Sequence, residues 1–139
     1  MKISAAGALG MGLALYVLAA GADDHSPVSS LHAQVITPAS DALFQAESQP
    51  PATSAEWTRI AAKAADIGRV ANKLGMLESA KDRPEWRQFA HLLGEAAEKA
   101  ARAAEAEDQE ALVNANGEIV SVCEDCHAKY RDAGRSMKE

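Results

Sequence analysis

Apolar residues return along this chain every three or four positions, in four separate runs that each read as one face of a helix. The first run covers roughly Leu31 to Glu47 and contains Pro38. Thr37 caps a helix that starts at Pro38, or a first turn from Leu31 to Ile36 runs into a kink at the proline; the pattern leaves both open. "SQPPATS" is a loop, and Thr53 with Glu56 then forms a capping-box pattern. Trp57, Ile60, Ala61, Ala64, Ile67, Ala71 and Leu74 follow at helical spacing, with Gly68 and Gly75 weakening this second helix without ending it. "KDRP" breaks the chain, with Pro84 at a first helical position. Trp86, Phe89, Ala90, Leu93, Ala97, Ala100 and Ala104 mark the inner face of a third helix. Asp108 caps a fourth, whose inner face reads Leu112, Ala115, Ile119, Val122, Cys123, Cys126 and Tyr130, with Gly134 as its stop. No segment after the first 22 residues alternates like a strand. Four helices with short loops predict an all-α, up-down-up-down four-helix bundle.

Composition sharpens this picture. The 139 residues suit one domain, and they are 47% apolar, but much of that is alanine and only six residues are aromatic. Alanine-rich stripes let helices approach closely while burying modest area, which leaves room in the core for something else. "EAAEKAARAAEAEDQEA" reads as a strong helix former with charge pairs one turn apart. No 20- to 50-residue period repeats, and with a net charge of -6 and no continuous basic stretch a nucleic-acid partner is not expected.

Residues 1–22, "MKISAAGALGMGLALYVLAAGA", look like an export signal: Lys2, an uncharged apolar run, then small residues at Ala20 and Ala22. Cleavage after Ala22 leaves residues 23–139 as the domain; a retained stretch would instead anchor it to a membrane. No cysteine follows the run, so a lipid anchor is not indicated. Export means the periplasm in a cell with two membranes, an oxidising compartment for the chain's two cysteines.

Both cysteines fall in "SVCEDCHAKYR", residues 121–131. Cys-x-x-Cys-His is the attachment pattern of c-type haem, here Cys123, Cys126 and His127. Two thiols at this spacing add to the two vinyl groups of one porphyrin, and the adjacent imidazole reaches the iron. On a helix the three residues share one face, the inner face of the fourth helix. A thioredoxin-like pair would need a β-α-β setting that the pattern lacks. A disulfide within the helix would not require His127, and zinc would need a fourth ligand. The expected cofactor is one covalently attached haem c.

The chain resembles the class II c-type cytochromes, the group that includes cytochrome c′. The specific match is C-x-x-C-H-x-x-Y-R onto Cys123, Cys126, His127, Tyr130 and Arg131, with "TPASDALF" (37–44) and Glu56-Trp57 similar to a divergent branch. The resemblance implies a four-helix bundle with its haem on the last helix, thioethers from Cys123 and Cys126, axial ligation by His127, and Arg131 beside the haem. It also implies either a sixth iron position left open behind an apolar side chain of the first helix, or a methionine from that helix. The first helix here carries no methionine. Counting levels at 1.5 Å per residue sets His127 near Ile36 on the first helix, a little before Met76 on the second and near His91 on the third. Ile36 as a blocking side chain predicts a five-coordinate iron. Met76, then His32 one turn before Ile36, then His91 follow as sixth ligands, and His25 in the polar start is discounted.

No base and nucleophile, phosphate loop or second metal cluster accompanies the haem pattern, so no enzyme is expected. The reading is an exported monohaem cytochrome that passes single electrons between redox partner proteins. A gas-binding protein taking NO or CO at an open iron is the alternative, and a membrane-tethered helical adaptor with a structural haem is a third. A homodimer through the first two helices, which the resemblance implies for many members, stands beside a monomer.

Overall fold

The computed structural model describes residues 26–132. The export signal, His25 and the Gly134 stop lie outside the described residues. Among the described residues there is no strand. The chain forms α1 (Pro27–Leu31), a π-helical turn (His32–Ile36), α2 (Thr37–Ser48), α3 (Ser54–Met76), a short 3-10 turn (Glu78–Ala80), α4 (Pro84–Glu105), α5 (Gln109–His127) and a second π-helical turn (Ala128–Asp132). The first three of these run on as one long helix, and it packs with α3, α4 and α5 as a four-helix arrangement.

Local chemistry accounts for each start. The Ser26 hydroxyl accepts from the Ser29 N–H at 3.2 Å, and Pro27, which needs no partner there, opens α1. Thr53 and Glu56 complete the expected capping box: Thr53 Oγ1 accepts from the Glu56 N–H at 3.2 Å, and Glu56 accepts from Thr53 at 3.1 Å and from Ala52 at 2.7 Å. Pro84 opens α4, and Asp108 caps α5 by accepting from Ala111 at 3.0 Å. Between α4 and α5 the Asp108 N–H donates to the Ala103 carbonyl and the Glu107 N–H to Ala104, a Schellman turn. Its left-handed position is held by Glu107 at φ 54°, where glycine is usual.

The first helix differs from both sequence alternatives. It begins at Pro27, four residues before Leu31, and Thr37 makes no side-chain cap. Pro38 neither starts the helix nor breaks it. A proline in regular α geometry crowds the carbonyl four residues back, here Gln34. The turn instead widens, and the Thr37 N–H donates to His32 five residues back.

More than half of the buried apolar residues are alanines. α3 and α4 approach closely, for a Cβ added to Gly68, Gly75 or Gly94 would meet Ala97, Ala90 or Ala71 at 3.8, 3.5 and 3.8 Å. These pairings run in opposite senses along the two helices, so α3 and α4 are antiparallel. Larger side chains, Leu43, Ile67, Leu112 and Ile119, fill the centre. Along the seam between α2 and α5, Gln109 donates to the Ala46 carbonyl at 3.0 Å, satisfying an end of α2, and buried Asn116 donates to the Leu43 carbonyl at 3.2 Å. This pair is antiparallel too.

Glu107→Gly should raise stability by about 1 kcal/mol, because it removes the left-handed strain at a C′ position; an unchanged or lower urea midpoint would contradict the Schellman assignment. Acid should act on α3 through its cap. Hydrogen bonds from the Ala52 backbone and then Thr53 hold the Glu56 carboxyl below its usual value. The cap is therefore fully present above the ordinary carboxylate range and is lost as pH falls through the lowered value. Between about pH 6 and pH 3 the melting temperature of Glu56→Gln should fall less than that of the parent.

Candidate haem-attachment site

Cys123, Cys126 and His127 lie on the last two turns of α5 and share the face turned towards the first helix and α4. All three are half-buried, and neither cysteine is in a disulfide. Burial pushes the Cys123 thiol up, helped by Cys126 and Glu124, and burial raises Cys126 as well. A thiol used for disulfide exchange is held low instead, so the environment disfavours a thioredoxin-like role.

These residues line two clefts that meet at His32, Trp86, Cys126 and His127. The inner cleft is walled by Leu74, Phe89, Ala90, Leu93, Val122 and Cys123. The outer one, about 560 Å³ and open to solvent, is walled by one side of the first helix from Ser26 to Thr37, with Tyr130 and Arg131. Three of the chain's six aromatic residues gather here. Tyr130 meets Trp86 edge-on with ring centres 5.1 Å apart and Phe89 at 6.3 Å. Trp86 is fixed in turn: its indole N–H donates to the Leu74 carbonyl at 2.8 Å, one of the last in α3 that the helix itself leaves unpaired. Lys129 pairs with Glu85, joining the end of α5 to the start of α4.

The distal residues fall differently from the sequence levels. The side chain across from His127 is His32, with ring centres 5.5 Å apart and ring planes tilted by 42°. Ile36 is 4% exposed, packs in the core with Ala39 and Leu43, and lines neither cleft. The correction has two physical parts: the first helix starts earlier than the periodicity suggested, and the turn before Pro38 is widened. Met76 is 75% exposed and lines a separate surface groove with Pro27, Leu31 and Lys73, away from the cysteines. It stands two positions past Leu74, on the opposite side of α3 from the buried stripe. His91 is exposed beside Glu95, outside both clefts. Arg131 is exposed but close enough to His32 to act on it. Burial, then His127 and Arg131, lower the His32 pKa and favour its neutral ring.

Sequence reasoning ranked His32 below Ile36 and Met76. The missed signal was Ser26-Pro27, a cap followed by a first-turn proline, which moves the helix start and every level counted from it.

Compared with protein-family models, curated proteins and solved structures, the chain matches none. Among the described residues no three His, Cys, Asp or Glu side chains cluster closely enough to hold a bare metal ion. The donors that do converge, two thiols and imidazoles beside an apolar, aromatic-walled cleft, suit a flat apolar group with its own metal. The donors present are of the kind that covalent haem attachment would use, whereas among the described residues none cluster as a bare zinc ion requires.

Trp86→Phe keeps the ring and removes the bond to Leu74, leaving that carbonyl without the indole donor. It should destabilise the chain by about 1 kcal/mol in urea unfolding. A neutral result would show that Trp86 is held by packing alone.

Proposed function

We propose that this chain is an exported c-type cytochrome that carries one haem on its last helix and passes single electrons between redox proteins. The observation that carries the reading is the convergence of Cys123, Cys126 and His127 on one face of α5, against an apolar cleft. Cys123 and Cys126 would hold a haem through two thioethers, each thiol giving its sulfur and hydrogen to one vinyl double bond with no oxidant needed, and His127 would offer a ring nitrogen to its iron. Trp86, Phe89 and Leu93 line the cleft with apolar surface, while Arg131 brings positive charge near its mouth. A haem, when bound, supplies an iron that changes by one electron, at a potential governed by axial ligands, burial and nearby charge.

Export is read from residues 1–22. Among the described residues no helix is long and apolar enough to cross a membrane.

Produced in a bacterial periplasm with a haem-attachment system, the mature chain should have the mass of the polypeptide from residue 23 plus one haem. A mass equal to the bare chain sinks the reading. Cys123→Ala and Cys126→Ala should each lose the doubly attached product and melt lower, because an unfilled apolar cleft costs several kcal/mol, roughly as a large core deletion does. Variants that melt like the parent would show that the bundle does not depend on its cofactor.

A further inference from the structure

His32 has no part in attaching the haem, yet it is the side chain that the fold sets against His127. Their separation follows the sequence register of two helices. Asn116 on α5 is bonded to Leu43 on α2. His127 lies eleven residues after Asn116, and His32 eleven residues before Leu43. Along α5 eleven residues make about three turns, which returns His127 to the face of Asn116; on the first helix the same count includes the widened turn His32–Ile36, and the ring centres 5.5 Å apart place His32 across from His127. The packing of the whole helix pair therefore brings the two rings together, not a single side-chain rotation.

We propose that His32 is the second axial ligand of the haem, so that imidazoles hold the iron from both sides. This rests on the haem reading given above. Two imidazoles that share one metal through nitrogens at about 2 Å have ring centres roughly 6 Å apart. The observed 5.5 Å is close to that spacing. Both rings line both clefts, so the pair stands where the inner and outer spaces join. Among the described residues no third His, Cys, Asp or Glu joins them to hold a bare metal ion. Ile36, the alternative neighbour of the sixth position, is turned into the core. With both axial positions filled by the protein, the iron keeps its ligands as it gains and loses an electron. That favours electron transfer and closes the site to diatomic gases.

The test uses the full chain made with a haem-attachment system, its covalent haem first confirmed by mass. Absorption and electron paramagnetic resonance should show a low-spin iron in the oxidised protein, and the reduced spectrum should stay unchanged when CO is added. His32→Ala should convert the iron to high spin and open it to CO, and added imidazole should restore the low-spin spectrum. His32→Met serves as the second variant: it should stay low-spin but gain the long-wavelength sulfur-to-iron band, and it decides the matter if the alanine form does not fold. A high-spin parent that takes CO at once overturns the ligand while leaving the haem in place. So does a His32→Ala protein that is still low-spin without added imidazole. A parent chain with no haem overturns the underlying reading instead.

Discussion

The register between α5 and the first helix is the constraint on which the site depends. Alanine-rich faces specify register weakly, since a slide of three or four residues replaces one methyl group by another. Asn116 is fully buried, and its amide nitrogen reaches one carbonyl, that of Leu43. A slide would leave a buried donor unpaired, at a cost of about 1–3 kcal/mol. Its amide oxygen accepts no hydrogen bond from the protein, so the group adds little net stability. Its effect is specificity: it fixes which residues of the two helices face each other. Gln109 repeats the restraint nearer the loop, on the Ala46 carbonyl.

A second constraint decides where the bundle is narrow and where it is wide. Between α3 and α4 the facing residues are glycine and alanine, and the helices close on one another. At the end where α3 finishes and α4 begins the residues change to Leu74, Trp86, Phe89 and Leu93. The same pair of helices there is held by the Trp86 indole as well as by the close approach of Gly75 to Ala90. Trp57 is buried in the core, whereas Trp86, Phe89 and Tyr130 are only partly buried. Trp86 and Phe89 gather against the face of α5 that bears Cys123 and Cys126, and Tyr130 closes over them from the turn after His127.

Features set by neighbouring residues were legible in the sequence. The capping box of Thr53 and Glu56, the cap at Asp108, the proline start at Pro84 and the inner faces of three helices all depend on residues within one or two turns. Met76 and His91, both counted among the sixth-ligand candidates, are exposed, and each lies off the stripe defined by its own helix. The level of the first helix was not legible. It depends on where that helix begins and on how it passes Pro38. The proline read as a break, because the widening of the preceding turn relieves the clash without leaving a sequence mark. An error of one turn there exchanged Ile36 for His32 across from His127.

That one turn separates two kinds of chemistry. A buried isoleucine opposite His127 offers no electron pair, and it would leave a position that only a small molecule could fill. An imidazole at the same place is a strong donor already held by the fold. It would need little rearrangement to ligate, because its ring stands beside the cleft with its neutral form favoured by burial. The difference arises from no motif. It arises from the distance between Ser26, where the helix starts, and Leu43, where a buried amide locks it to α5. In a bundle whose helices are bland along most of their length, the position of a cap and of one polar bond determines which side chain faces the proposed iron site.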